Sequence, residues 1–238
     1  MHPALVPAAI VGATAFSYLL ALAIGLPIVV PFLNVAAGFP FMVDSLRRGR
    51  VGEAIGRMLV WAAAMGVCAT VLSYLDTADA GRLFLNGETY RREMFEYLRT
   101  GVGPEGDVQR FVPVHLAHAG AFSALAIATG SVLAMPLGAA LMNYMAYYVG
   151  ALGAGSASPW LAMALAWVPW SLIRIASFVT LGVVLAGPLL ARLLHFDYTL
   201  RAQARWIAAA GAGLIIDIAL KWALAPAWRE MIRNAAGW

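Results

Sequence analysis

Between Phe111 and Gly150 the chain runs for forty residues without an Asp, Glu, Lys or Arg. Such a stretch cannot coat a water-soluble domain. It is about twice the ~20 residues that a helix needs to cross the hydrocarbon core of a bilayer. The rest of the chain agrees. Hydrophobic residues make up 62% of the 238 and charged residues 12%, against about 25% charged in soluble domains. Mean hydropathy is +0.79. A soluble globular domain, a disordered chain and a fibrous protein are thereby excluded. What remains is an all-α polytopic transmembrane helix bundle, a single integral membrane domain over residues 1–238.

The formal charge of +4 does not point to nucleic acid, because the basic residues form no run and serve better as topology signals. No nucleic-acid partner is expected; membrane lipids are. Cys68 is the one cysteine, which removes intrachain disulfides and Cys-based metal sites.

Apolar length divides the chain into about six spans, near 7–26, 54–74, 112–129, 132–149, 160–185 and 206–222. Apolar character also continues past Pro27, Pro31 and Pro40 to Val43. That is too long for one span and too short for two full ones. It predicts a proline-broken segment that lies at the interface or re-enters. The long stretch from Phe111 is split at Thr129-Gly130-Ser131, ahead of Pro136. Charge supports the split. The loop with Arg47, Arg48 and Arg50 goes inside by the positive-inside rule. The acidic 76–110 segment then becomes an extracytoplasmic loop, and Arg192, Arg201 and Arg205 fall inside. Both termini then lie outside, whereas two crossings within the first 43 residues would bring the N-terminus inside. The setting expected is a bacterial-type inner membrane.

The 76–110 loop contains one amphipathic helix, Glu88 to Arg99. Tyr90, Met94 and Tyr97 follow i, i+4, i+7 spacing and form an apolar stripe. Its acids, Glu93 and Glu96 among them, read either as ordinary surface charge or as a carboxylate cluster at the mouth of a membrane cavity. His115 and His118 open the next span and share one helix face. With a carboxylate from Glu88, Glu93 or Glu96 they could hold a divalent metal such as zinc, the two-His, one-carboxylate set of many hydrolases. The spacing is not HExxH, and imidazoles there can equally bond a backbone carbonyl or a lipid headgroup. Asn143, on a helix returning to the same membrane level, can join them.

Arg174 and Asp217 fall near the centres of the fifth and sixth spans. Charge there costs about 2.5–3.5 kcal/mol on insertion scales, so the two are expected to pair. Lys221, one turn beyond Asp217, shares that partner or snorkels. Arg174 also suits a phosphate or carboxylate. These residues favour a membrane-embedded hydrolase at the extracytoplasmic face. Glu93, Glu96, His115, His118 and Asn143 would be its catalytic residues, with Arg174 and Asp217 on the substrate. Two other classes stand beside it. One is a small transporter or channel subunit built on Arg174 and Asp217, assembled as a homo-oligomer. The other is a non-enzymatic assembly or scaffold subunit that docks a membrane protein partner on the Glu88–Arg99 helix.

Overall fold

Prolines place four of the helix starts. Pro7, Pro31, Pro159 and Pro169 each stand in the first turn of a helix. There the missing N–H has no intrahelical partner to lose and the fixed φ is already helical. The computed structural model describes residues 5–238, and every regular element among them is helical. In chain order they are α1 (Val6–Ile24), α2 (Val30–Arg47), α3 (Val51–Leu75), α4 (Thr77–Leu83), α5 (Gly87–Thr100), α6 (Val108–Thr129), α7 (Ala134–Ala154), α8 (Pro159–Ala166), α9 (Pro169–Leu194) and α10 (Ala204–Ala236). Short 3-10 turns precede α6 and α10.

Five helices are long and apolar enough to cross a membrane: α1, α3, α6, α9 and α10 with the turn before it. The fourth expected span corresponds to α7, which is less apolar because it carries Pro136, Asn143 and three tyrosines. It is the central helix, with 15 of its 21 residues buried, packed against α2, α3, α5, α6 and α8. Gly150 allows the closest approach. A Cβ there would lie 2.5 Å from Thr70 O and 2.8 Å from Tyr74 N, both backbone atoms of α3.

Two segments differ from the sequence expectation. Residues 30–47 form one continuous helix, α2, with Pro40 inside it. Pro31 falls where a helix tolerates it. Packing against α1, α3 and α7 offsets the one hydrogen bond that Pro40 removes. Tyr18 of α1 lies edge-on to Phe84 beside α4. The C-terminal half of α1 therefore approaches the α4–α5 end, and α2 runs back to the basic end.

The expected fifth span, 160–185, is two helices. Val168 is extended (φ −60°, ψ 143°), as a residue before proline prefers. The chain thus breaks between α8 and Pro169. Arg174 consequently sits in the second turn of α9, close to the α5 end of the bundle rather than near its middle.

The bundle has two unlike ends. Phe39–Arg47 of α2 and Leu190–Leu194 of α9 line one shallow groove, and Trp206 approaches Gly52. Arg47, Arg48, Arg50, Arg192, Arg201 and Arg205 therefore share an end. α4, α5 and α8 cover the other.

A buried polar lock ties α1, α2, α3 and α7 together. Tyr18 Oη donates to Asn143 Oδ1 (2.6 Å), Asn143 Nδ2 to Asn34 Oδ1 (2.9 Å), and Asn34 Nδ2 to Ser17 Oγ (2.9 Å). Trp61 Nε1 donates to Asn34 O at 2.7 Å. Each member has a partner, which is what makes such a network tolerable in an apolar interior.

Candidate functional site

The site begins at the loop before α6. Asp107 caps that helix by accepting from Gln109 N (2.9 Å). Two turns on, His115 Nδ1 lies 2.8 Å from Phe111 O. A carbonyl only accepts, so Nδ1 carries the hydrogen and Nε2 presents its lone pair. That lone pair faces the Arg174 guanidinium and accepts from its Nη1. Arg174 Nη1 is also 3.8 Å from Asp217 Oδ2, and His115 Nε2 is 3.6 Å from the same oxygen. Asp217 is 1% exposed, and neither carboxylate oxygen has a hydrogen-bond partner.

One turn along α10, Lys221 is equally buried. Its Nζ stands 4.4 Å from the centroid of the Phe111 ring, a cation–π contact. It lies 2.8 Å from Glu105 Oε2. Glu105 belongs to the loop between α5 and α6. Burial pushes its carboxyl up, but Lys221, with Arg174 beyond, outweighs burial and holds it below the ordinary value. With His115 neutral, the two cations Arg174 and Lys221 balance the two carboxylates Glu105 and Asp217.

These groups stand at one end of a cavity of about 500 Å³. Glu93, Tyr90 and Tyr144 complete the polar end, with His118 on the same α6 face as His115. Burial pushes the Tyr90 hydroxyl well above its ordinary value, so it stays a neutral donor. Deeper in, the walls are apolar: Trp61, Phe122, Met135, Met142, Phe178 and Val179. α6 and α10 both line the cavity and both rest on α9, yet their backbones stay apart and meet through side chains at the charged end, His115 with Asp217 and Phe111 with Lys221. α6 is the less embedded, with Leu116, at the cavity's margin, 61% exposed.

The structure therefore brings together five of the residues singled out from sequence: Glu93, His115, His118, Arg174 and Asp217. It leaves out two. Glu96 faces a surface groove with Arg92 and Arg99, and Asn143 belongs to the buried lock. Glu105, Lys221 as its partner, Tyr90 and Tyr144 complete the site unanticipated. Glu105 gave no sequence signal, since it sits in a glycine-rich polar loop. Lys221 gave one, standing four residues after Asp217.

Among the described residues no three His, Cys, Asp or Glu side chains are grouped to hold a metal ion. The expected ligand His115 turns its lone pair to a guanidinium, and a cation already stands where a metal would bind. His118 and Glu93 line the same cavity without completing a ligand set. These residues do not fit a zinc centre.

Fold and site define a helical bundle of membrane-protein character with a cavity charged at one end and apolar at the other. Comparison with protein-family models, with curated proteins and with solved structures finds no match.

Proposed function

We propose that the protein is an integral membrane protein that takes one amphipathic, lipid-like molecule into this cavity. The head lies against Arg174, His115 and Asp217, and the hydrocarbon lies against Phe122, Met135 and Phe178. The observation that carries this reading is the segregation of the lining. Every ionisable group sits at one end and an uninterrupted apolar surface follows. Ligand sites of about 300–1,000 Å³ with a few convergent polar groups in apolar walls are the usual form. The gap between α6 and α10 gives a membrane-borne molecule a sideways route. The arginine-rich end belongs in the cytoplasm by the positive-inside rule, which puts the head site in the opposite leaflet.

The test is lipid retention. Protein extracted in mild detergent should carry a bound amphiphile, seen by native mass spectrometry. Gly138→Leu should lose it while keeping its helical content. A Cβ at Gly138 meets only the edge of the Phe122 ring, at 3.2 Å, so the added side chain fills cavity. Retention of the same molecule by Gly138→Leu would defeat the reading.

One observation favours a second step at the same site. The lone pair of His115 Nε2 and the unpartnered carboxylate of Asp217 meet at the charged end. We propose on that basis that the bound molecule is hydrolysed there. Among the described residues no Ser, Thr or Cys lines the cavity, so the attacking group would be water, its proton taken by Asp217, with the head held by Arg174 and the guanidinium positioned by His115. Turnover lost in both His115→Gln and Asp217→Asn, with lipid retained, supports hydrolysis. Unchanged turnover removes it.

The transporter reading gains less, because the polar groups stop part-way. So does the scaffold reading, because α5 is docked on α7 through Tyr147 with Glu88 and Tyr90 with Tyr144.

A further inference from the structure

We propose that Glu105 is a built-in stand-in for the anionic head of the ligand. The strap that carries it, residues 101–107, opens when a phosphate- or carboxylate-bearing amphiphile takes its place on Lys221 and Arg174. This inference rests on the lipid-binding reading and adds the charge class of the ligand and the residue that selects it.

Charge balance makes the first argument. The buried cluster is neutral as it stands, with two cations and two carboxylates. An anionic head that simply added itself would leave one negative charge uncompensated in a low-dielectric site, which is strongly unfavourable. A carboxylate must leave as the head arrives. Asp217 cannot, since it projects from the interior of α10 and is 1% exposed. Glu105 can, being 24% exposed at the side chain and carried by a loop.

The construction of the strap makes the second. Arg229 donates to Tyr97 O and Arg99 O, both at 2.9 Å, which fixes the chain up to the end of α5. The next residue but one, Gly101, has φ +77°, open to glycine at little cost. Gly103 and Gly106 follow. Beyond them Asp107 caps α6 and fixes the chain again. Among the described strap residues Glu105 lines the cavity, and Val102 on its outer side is 67% exposed. A short glycine-rich segment held at both ends, with one carboxylate inserted among cations, is a latch whose key is another anion.

The experiment uses the full chain in dioleoylphosphatidylcholine bilayers and electron paramagnetic resonance of spin-labelled lipids. The labels are phosphatidic acid, stearic acid at a pH where it is ionised, and phosphatidylcholine. Glu105→Gln should bind the anionic labels about tenfold more tightly, the worth of one competing charge-assisted hydrogen bond, with phosphatidylcholine unchanged. Preference for phosphatidic acid over stearic acid would assign a phosphate head, and the reverse a carboxylate. In wild type, saturating anionic lipid should speed amide hydrogen exchange across 101–107 and leave α9 unaffected. Equal or weaker anionic binding in Glu105→Gln, with wild-type binding intact, overturns the latch alone. No selective association of any label with either protein overturns the lipid-binding reading as well.

Discussion

Removing the guanidinium of Arg174 should destabilise the bundle far more than removing its partner carboxylate, and by an amount that depends on pH. In Arg174→Met the Asp217 carboxylate stays 1% exposed with no hydrogen-bond partner of its own. At 3.8 Å and an effective dielectric of about 20, the lost attraction is about 4 kcal/mol. The carboxylate can escape by taking up a proton. From an ordinary pKa near 3.9 that costs about 4 kcal/mol at pH 7 and about 1.5 kcal/mol at pH 5. Protonation therefore caps the loss, and the cap falls as the solution is acidified.

The reverse variant, Asp217→Asn, leaves Arg174 at 21% side-chain exposure and still bonded to His115. Its loss should be about 1–2 kcal/mol. The double variant should recover about 2 kcal/mol relative to the sum of the two, since one charge is no longer stranded. Unfolding by sodium dodecyl sulfate in mixed micelles, followed by circular dichroism, measures all four proteins at pH 7 and pH 5. An Arg174→Met loss below about 0.5 kcal/mol at pH 7, or one that does not shrink at pH 5, refutes the pairing.

Other consequences follow from the packing and the strap. Gly150→Ala forces Cβ to within 2.5 Å of Thr70 O; it should part α3 from α7 and cost about 3 kcal/mol, seen as a lower denaturant midpoint. Asn143→Ala strands Asn34 Oδ1 and leaves the Tyr18 hydroxyl only the longer bond to Met65 O, at 3.4 Å, and should cost about 2 kcal/mol. The folded fraction should bind lipid as wild type does, because Asn143 is outside the cavity; lost binding would return it to the site. The depressed Glu105 carboxyl keeps the strap latched at and above the ordinary glutamate range and releases it only as pH falls below that range. Amide exchange at 101–107, corrected for intrinsic rates, should therefore match at pH 7 and pH 5. A release already present at pH 5 contradicts this.

How far the sequence carried the fold depended on which signal was strong. Apolar length is strong, and it marked α1, α3, α6 and the central α7 within about five residues and the start of α10, while α10 continues to Ala236, well past the expected end at 222. Proline is ambiguous, because its effect turns on whether it stands in a first turn or an interior. Pro31 begins α2 and Pro40 is carried inside it, where both had suggested a break. Pro169 makes a real break that hydropathy alone ran through. In the site, His115, Arg174 and Asp217 were legible since an ionisable residue in an apolar run needs a partner. Asn143 was drawn in by the same logic, but an asparagine can be satisfied by other neutral groups, and Tyr18 and Asn34 satisfy it. Glu105 was illegible because a glutamate in a polar loop costs nothing locally. Only the fold of the strap turns it inward onto Lys221.

The four ionised residues are not equivalent, and their burial separates their roles. If the cluster served stability alone, apolar replacements of like volume would do as well or better, since desolvation consumes most of what a buried pair returns. Two of its members, Asp217 and Lys221, are sealed at 1% exposure, one turn apart on α10. The other two, Arg174 at 21% and Glu105 at 24%, are the reachable members at the cavity end that Asp217 also lines. The sealed pair supplies one fixed charge of each sign. The reachable pair supplies one charge of each sign that can change partners. An arriving anion can therefore take the place of Glu105 on Lys221 and Arg174 while Asp217 stays fixed. A site built to bind and release a charged head inside a membrane needs that division, and a purely structural clamp does not.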